Sequence, residues 1–170
     1  ALLGDALERG CVSDAAVAES IAQARALWHL RESIPLAQAE EGLNIKHDIA
    51  LPVSAIPAYV EATDALLQRH FPGVRLVNFG HLGDGNLHYN VQAPAGQDGA
   101  AFLREHEHAI NALVFDALVP HGGSFSAEHG IGALKRDELA ARKHPVALAM
   151  MRAIKRALDP QNLLNPGRVL

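Results

Sequence analysis

Asn78-Phe79-Gly80-His81-Leu82-Gly83-Asp84-Gly85-Asn86-Leu87-His88-Tyr89-Asn90 sets a dense turn signal between two runs of β-forming residues. Val74 to Phe79 precedes it, with Val74, Leu76 and Asn78 on one face, and Leu87 to Gln92 follows. Glycine and aspartate cluster where the chain must reverse, so the two runs predict a β-hairpin. Its mouth carries two histidines. Imidazoles at His81 and His88, flanking a turn of five or six residues, come close enough to reach one cation at about 2.0–2.1 Å. The glycines allow positive φ and let a ligand approach the backbone. Strand periodicity puts Asn90 on the face of His88.

Upstream, the alternation Ile45, His47, Ile49, Leu51 predicts a short strand stopped by Pro52, after which Ser54 caps a helix running to His70, with Pro57 in its first turn. Phe71-Pro72-Gly73 breaks the chain before the hairpin. Earlier still, Asp14 reads as the N-cap of an amphipathic helix running through a series of alanines to Trp28 and Leu30 and ending near Ser33 to Pro35. Downstream, a helix is expected from Ala100 to Val119, stopped by Pro120, and a last one from Pro145 to Leu158. Strands mixed with helices around one hairpin indicate an antiparallel α+β layer. Three strands are few for a sheet that must cover three or four helices, so further strands are expected upstream of Ala1, and an exposed edge would invite pairing with a second copy of the chain.

The chain has 170 residues, 49% of them apolar, enough for one hydrophobic core. A net charge of −4 and scattered basic residues exclude a nucleic-acid or anionic-membrane footprint. No apolar run approaches the roughly 20 residues of a membrane span, and Ala1 to Gly10 does not read as a targeting signal, so a cytoplasmic setting is expected. The single Cys11 reads as a buried small residue.

A second glycine-rich segment, His121-Gly122-Gly123-Ser124-Phe125-Ser126-Ala127-Glu128-His129-Gly130-Ile131-Gly132, contains the pair Glu128-His129. One carboxylate with two imidazoles is a common open coordination set, and His129 would then remain as a base beside it. On spacing alone the alternative is equal: two hydrogen-bonded imidazoles at a hairpin tip, with Glu128 capping the next helix. Arg31 and Lys46 resemble clamps for a carboxylate but read also as solvated charges. Lys135 and Arg136 read as a solvated helix start. From these residues a metal-dependent hydrolase, or a non-catalytic module in which the cation only supports folding, also stays open.

The stretch from Asn78 to Asn90, the segment Ser126-Ala127-Glu128-His129-Gly130-Ile131-Gly132, and Leu158-Asp159-Pro160 followed by Asn165-Pro166-Gly167 occur in an order that resembles the C-terminal cap region of FAD-linked oxidases of the vanillyl-alcohol oxidase superfamily. Its members include dehydrogenases of D-2-hydroxyglutarate and D-lactate and the flavin subunit of glycolate oxidase. The resemblance implies an incomplete, ferredoxin-like α+β cap domain, with the FAD-binding domain upstream of residue 1. It implies FAD and a divalent metal, usually zinc, as cofactors, held in the metal's case by His81, His88 and Glu128. It further implies His129 as the base, Arg31, Lys46 and Asn90 as substrate-binding residues, and Asn165 in a tail that packs against the flavin domain. The partners so implied are a small hydroxy acid, the flavin domain, and an electron acceptor, either a protein, which could hold the enzyme peripherally at a membrane, or a quinone. Where the 2-hydroxyglutarate enzymes carry threonine, four positions after the arginine, this chain has Pro35, which offers no hydroxyl to a second carboxylate.

Overall fold

The computed structural model describes residues 2–170 and divides into two compact units, 1–42 and 43–170. The first holds α1 (Leu2–Glu8), α2 (Ile21–Glu32) and α3 (Ile34–Glu40). The expected start at Asp14 is wrong: its carboxylate accepts the N–H of its neighbour Ala15, and the helix begins at Ile21, behind the N-cap Ser20. The reason is a capping box, Ser20-Ile21-Ala22-Gln23. Ser20 Oγ accepts the N–H of Gln23 at 3.2 Å, and Gln23 Oε1 reaches back to the N–H of Glu19 at 2.7 Å. Beyond Ser33 the chain does not leave helical structure; Pro35, harmless in a first turn, opens α3. Neither α1 nor α3 is anticipated by the sequence reading.

In the second unit the strands are β1 (Asn44–Ala50), β2 (Arg75–His81) and β3 (Asn86–Gln92), in the order β1-β3-β2 with both pairings antiparallel. The expected hairpin is β2–β3; both strands run further into the glycine-rich stretch than expected, until His81 faces Asn86. A 3-10 turn over Leu82–Asp84 and a left-handed Gly85, φ +77°, close it. A Cβ at Gly85 would lie 2.1 Å from the carbonyl oxygen of Leu51, so glycine is required by space as well as by φ.

Helix α4 (Ile56–His70) crosses from β1 to β2, and α5 (Gly99–Asp116) follows β3. Ser54 does not cap α4; it sits inside a 3-10 turn over Val53–Ala55, and Pro57 lies in the helix's first turn as expected. Asp98 caps α5 by accepting the N–H groups of Ala100 and Ala101. That helix ends at Asp116, short of Val119, and Val119–His121 forms a separate 3-10 turn around Pro120. Two further helices, α6 (Arg136–Arg142) and α7 (Pro145–Leu158), complete the unit.

The succession β-α-β-β-α, with β3 inserted between β1 and β2, is that of a ferredoxin-like sheet whose last strand would lie beside β1. That place is held by one bridge. Ala50 N–H donates to Ser124 O at 3.0 Å and Ser124 N–H to Ala50 O at 2.8 Å. The glycine-rich segment is thereby pinned along the free edge of β1 instead of pairing with it at length.

The core lies on one face only. Ile45 and Ile49 of β1 and Leu87, Tyr89 and Val91 of β3 pack with Tyr59 and Leu67 of α4 and with Phe102, Ile110, Val114 and Phe115 of α5. His47 shares that face and is 1% exposed. Its Nδ1–H donates to Tyr89 O at 2.7 Å, and Nε2 lies 2.8 Å from Asn111 Oδ1. Burial lowers its pKa to about 4 against the hydrogen bonds that oppose it, so the ring is neutral. With Nδ1–H on Tyr89 O a neutral Nε2 can only accept, which requires the Asn111 amide rotated end for end so that its NH2 takes the place of Oδ1.

Two outcomes follow. His47 titrates near its ordinary 6.5 when unfolded and near 4 when folded. The unfolded state therefore binds more protons between those values, and stability, full above pH 6.5, falls by about 3 kcal/mol as pH drops toward 4. Urea unfolding across that window should show the slope, and His47→Gln should flatten it. Gly85→Ala should cost more than about 1 kcal/mol in the same measurement, because neither φ nor space admits the methyl group.

Candidate metal and substrate site

The second face of the sheet is polar. Register places Lys46, Asn90 and Val77 in one row across the strands, Asp48, His88 and Phe79 in the next, and Ala50, Asn86 and His81 in the third. Directly opposed residues share a face, so His81, His88 and Asn90 project together, as the hairpin reading requires. Phe79 packs on the His88 ring at 5.0 Å between centroids.

Asp48, which the sequence reading does not single out, lies at the centre. It is 1% exposed. Its Oδ2 accepts the N–H of Glu128 at 2.7 Å, of His129 at 2.7 Å and of Ala127 at 3.2 Å, while Oδ1 accepts Asn86 Nδ2 at 2.9 Å. Burial raises the carboxyl's pKa, but these donors and the His129 ring outweigh it, and the net value falls below the ordinary carboxylate range. A signal was present: aspartate is depleted from strands, and Lys46 and Asp48 interrupt the apolar Ile45, Ile49 alternation on the opposite face.

Around that carboxylate stand the expected residues. His81 Nδ1 is 3.5 Å from Glu128 Oε1, and both side chains are more than half exposed. His88 Nδ1 is 3.7 Å from Asp48 Oδ1, His129 Nδ1 is 3.9 Å from Asp48 Oδ2, and the His88 and His129 rings stack at 5.8 Å. Burial lowers the pKa of His88, and Asp48 and Glu128 oppose the shift without reversing it. A neutral imidazole is the form that binds a metal. One ligand atom each from Asp48, His88 and His129 falls within 4.8 Å of the others. The donor set, imidazoles and carboxylates with open approach, suits a divalent cation such as zinc.

Lys46 is exposed, and it lines a cavity of about 450 Å³ with Glu107, Asn111 and Lys135. Lys135 departs from its solvated reading: it is half-buried, its Nζ donates to Phe125 O at 3.0 Å, and burial lowers its pKa against the pull of Asp48. Arg136, by contrast, opens α6 and is exposed. Arg31 stands in the last turn of α2, in the first unit. Asn165 adopts a left-handed conformation, φ +48°, and its carbonyl accepts the N–H of Arg168. Cys11, expected to be buried, is exposed. No helix among the described residues is long and apolar enough to cross a membrane.

Comparison with known proteins gives a consistent result. The D-2-hydroxyglutarate dehydrogenase of Xanthomonas citri pv. viticola is 43% identical over 163 residues, 96% of this chain and 34% of that protein. The enzyme of the same name from Stutzerimonas stutzeri is 37% identical over 163 residues, 96% of the chain and 35% of that protein. The mitochondrial one from Arabidopsis thaliana is 39% identical over 170 residues, all of the chain and 29% of that protein. The chain thus spans about a third of the length of these curated relatives. Residues 1–169 match the family described as FAD linked oxidases, C-terminal domain. With that match covering almost every residue, the chain belongs to the C-terminal domain family of the FAD-linked oxidases.

Proposed function

We propose that this chain is the substrate-side part of a flavin-dependent dehydrogenase that oxidises a D-2-hydroxy acid to the 2-oxo acid, with FAD held mainly by a separate domain and a divalent cation, zinc by preference, at the polar face of the sheet. The observation that carries the reading is the gathering of His88 and His129 around one buried carboxylate, with His81 and Glu128 paired at 3.5 Å and both acting electrostatically on His88. Family membership and relatives named D-2-hydroxyglutarate dehydrogenase support the flavin and the substrate class.

In this reading His81, His88 and Glu128 hold the cation. Bound there, the cation would supply Lewis acidity toward the hydroxyl and carboxylate of the substrate, and a flavin held by the separate domain would supply the hydride acceptor. His129 accepts the hydroxyl proton. Its ring is half-exposed and so open to a substrate approaching the polar face. Lys46 holds the substrate carboxylate and Asn90 donates a hydrogen bond, Arg31 of the first unit keeps the role of substrate clamp that the resemblance implies, and Asn165 belongs to the tail facing the flavin domain. Pro35 lies in the first turn of α3 and supplies no side-chain donor to a second carboxylate.

The test is made on the longer protein that contains this chain. Purified as a flavoprotein, it should bleach its flavin with a D-2-hydroxy acid under anaerobic conditions and not with the L-isomer; no bleaching by D-lactate, D-2-hydroxyglutarate or glycolate would remove the reading. The chain on its own should bind no FAD. His129→Ala should lower kcat by about 10²–10⁴-fold with metal content intact, the usual worth of a positioned base. His81→Ala or His88→Ala should instead strip the metal, since each supplies one of three protein ligands. Loss of the cation in His129→Ala with retention in Glu128→Gln would reverse the roles of ligand and base.

A further inference from the structure

Asp48, His88 and His129 bring ligand atoms within 4.8 Å of one another, so Asp48 has the placement of a metal ligand. Its hydrogen bonds say otherwise. A carboxylate offers about two lone-pair directions on each oxygen. Oδ2 meets three N–H donors, from Ala127, Glu128 and His129, and Oδ1 meets the Asn86 amide at 2.9 Å. Binding a cation through Oδ2 would strip hydrogen bonds from N–H groups gathered around a buried carboxylate, which is costly, and Oδ1 already holds the Asn86 amide with His88 Nδ1 3.7 Å away.

The geometry of those three donors is the informative part. In an extended segment successive N–H groups point in opposite directions, and three in a row can converge on one oxygen only if the backbone curls into an anion-binding nest. The curl at residues 127–129 ends at Gly130, φ +71°. It resolves a conflict inherent in adjacent functional residues, because side chains of neighbours on an extended strand diverge. Here Glu128 reaches His81 at 3.5 Å while His129 stacks on His88 at 5.8 Å. Asp48 O also accepts the N–H of Ala127 at 3.2 Å, fixing the start of the curl to β1.

We infer that Asp48 is the positioning residue of this site: its buried carboxylate sets the Glu128–His129 turn and holds both side chains toward the hairpin histidines without itself ligating the cation. The structural part stands on the hydrogen bonds alone; the kinetic part rests on the function proposed above.

The experiment uses the full-length flavoprotein and two variants, Asp48→Asn, which keeps the shape and removes the charge, and Asn86→Ala, which removes the donor to Oδ1. Hydrogen exchange followed by mass spectrometry on peptides spanning residues 124–132 reads the turn directly, with or without activity. The wild-type amides of 127–129 should exchange slowly, and should remain slow after chelation of any metal. In Asp48→Asn they should exchange at least about tenfold faster, and kcat should fall about 10–100-fold, with KM for the hydroxy acid within about threefold. Asn86→Ala should show a smaller change of the same sign, and supplies the test if Asp48→Asn does not accumulate folded. Loss of metal in Asp48→Asn with unchanged exchange would make Asp48 a ligand and overturn the inference. Protection that vanishes on chelation in the wild type would assign the turn to the cation instead. Unchanged exchange and kcat in folded, flavin-loaded variants would make the carboxylate a spectator. A wild type that oxidises no hydroxy acid would defeat the proposed function and leave the exchange result standing.

Discussion

A carboxylate buried in a β-sheet must be answered by donors, and in this chain the donors are drawn from two places distant in sequence from the acid. Asp48 comes from β1, Asn86 from the start of β3, and the N–H groups of residues 127–129 from the loop beyond α5. Desolvating the charge is unfavourable, and only the convergence of several N–H groups makes the ionised form the stable one. The interaction is therefore both a structural tie between loop and sheet and the reason that Glu128 and His129 stand where they do.

The sheet can host such a site because its two faces are used differently. Helices α4 and α5 cover one face with an apolar core that includes Tyr59, Ile110 and Val114. The other face carries Lys46, Asp48, His88 and Asn90 in adjoining rows. The period of two that buries Ile45 and Ile49 delivers Lys46 and Asp48 to the opposite side. His47 is the exception that shows how strong the division is: an ionisable ring on the core face is held neutral, with both nitrogens hydrogen-bonded.

Closure of the β1 edge by a single bridge at Ser124 has a second effect. A full fourth strand would hold residues 124–129 extended, with Glu128 and His129 on opposite faces. Pairing that stops after one residue leaves the segment free to curl around Asp48. The fold gives up ladder hydrogen bonds at that edge and replaces them with charge-assisted ones to a side chain, which are individually stronger.

The hairpin was legible in the sequence because its information is local. Glycines at 80, 83 and 85 and β-forming flanks specify a reversal whatever surrounds it, and strand periodicity then places His81, His88 and Asn90 on one face. The start of α2 is equally local: the Ser20–Gln23 capping box sets it, and Asp14 lies too far upstream to do so. Asp48 was different. Alternation along β1 tells which face it occupies, but not that the face closes over it, because its partners lie 38 and 79 to 81 residues away. The sequence by itself determined the α+β class, the hairpin and the residue types able to bind a cation or move a proton. Only the tertiary structure decided that a buried carboxylate organises them, since burial and long-range hydrogen bonding are properties of the packed chain and leave no local pattern.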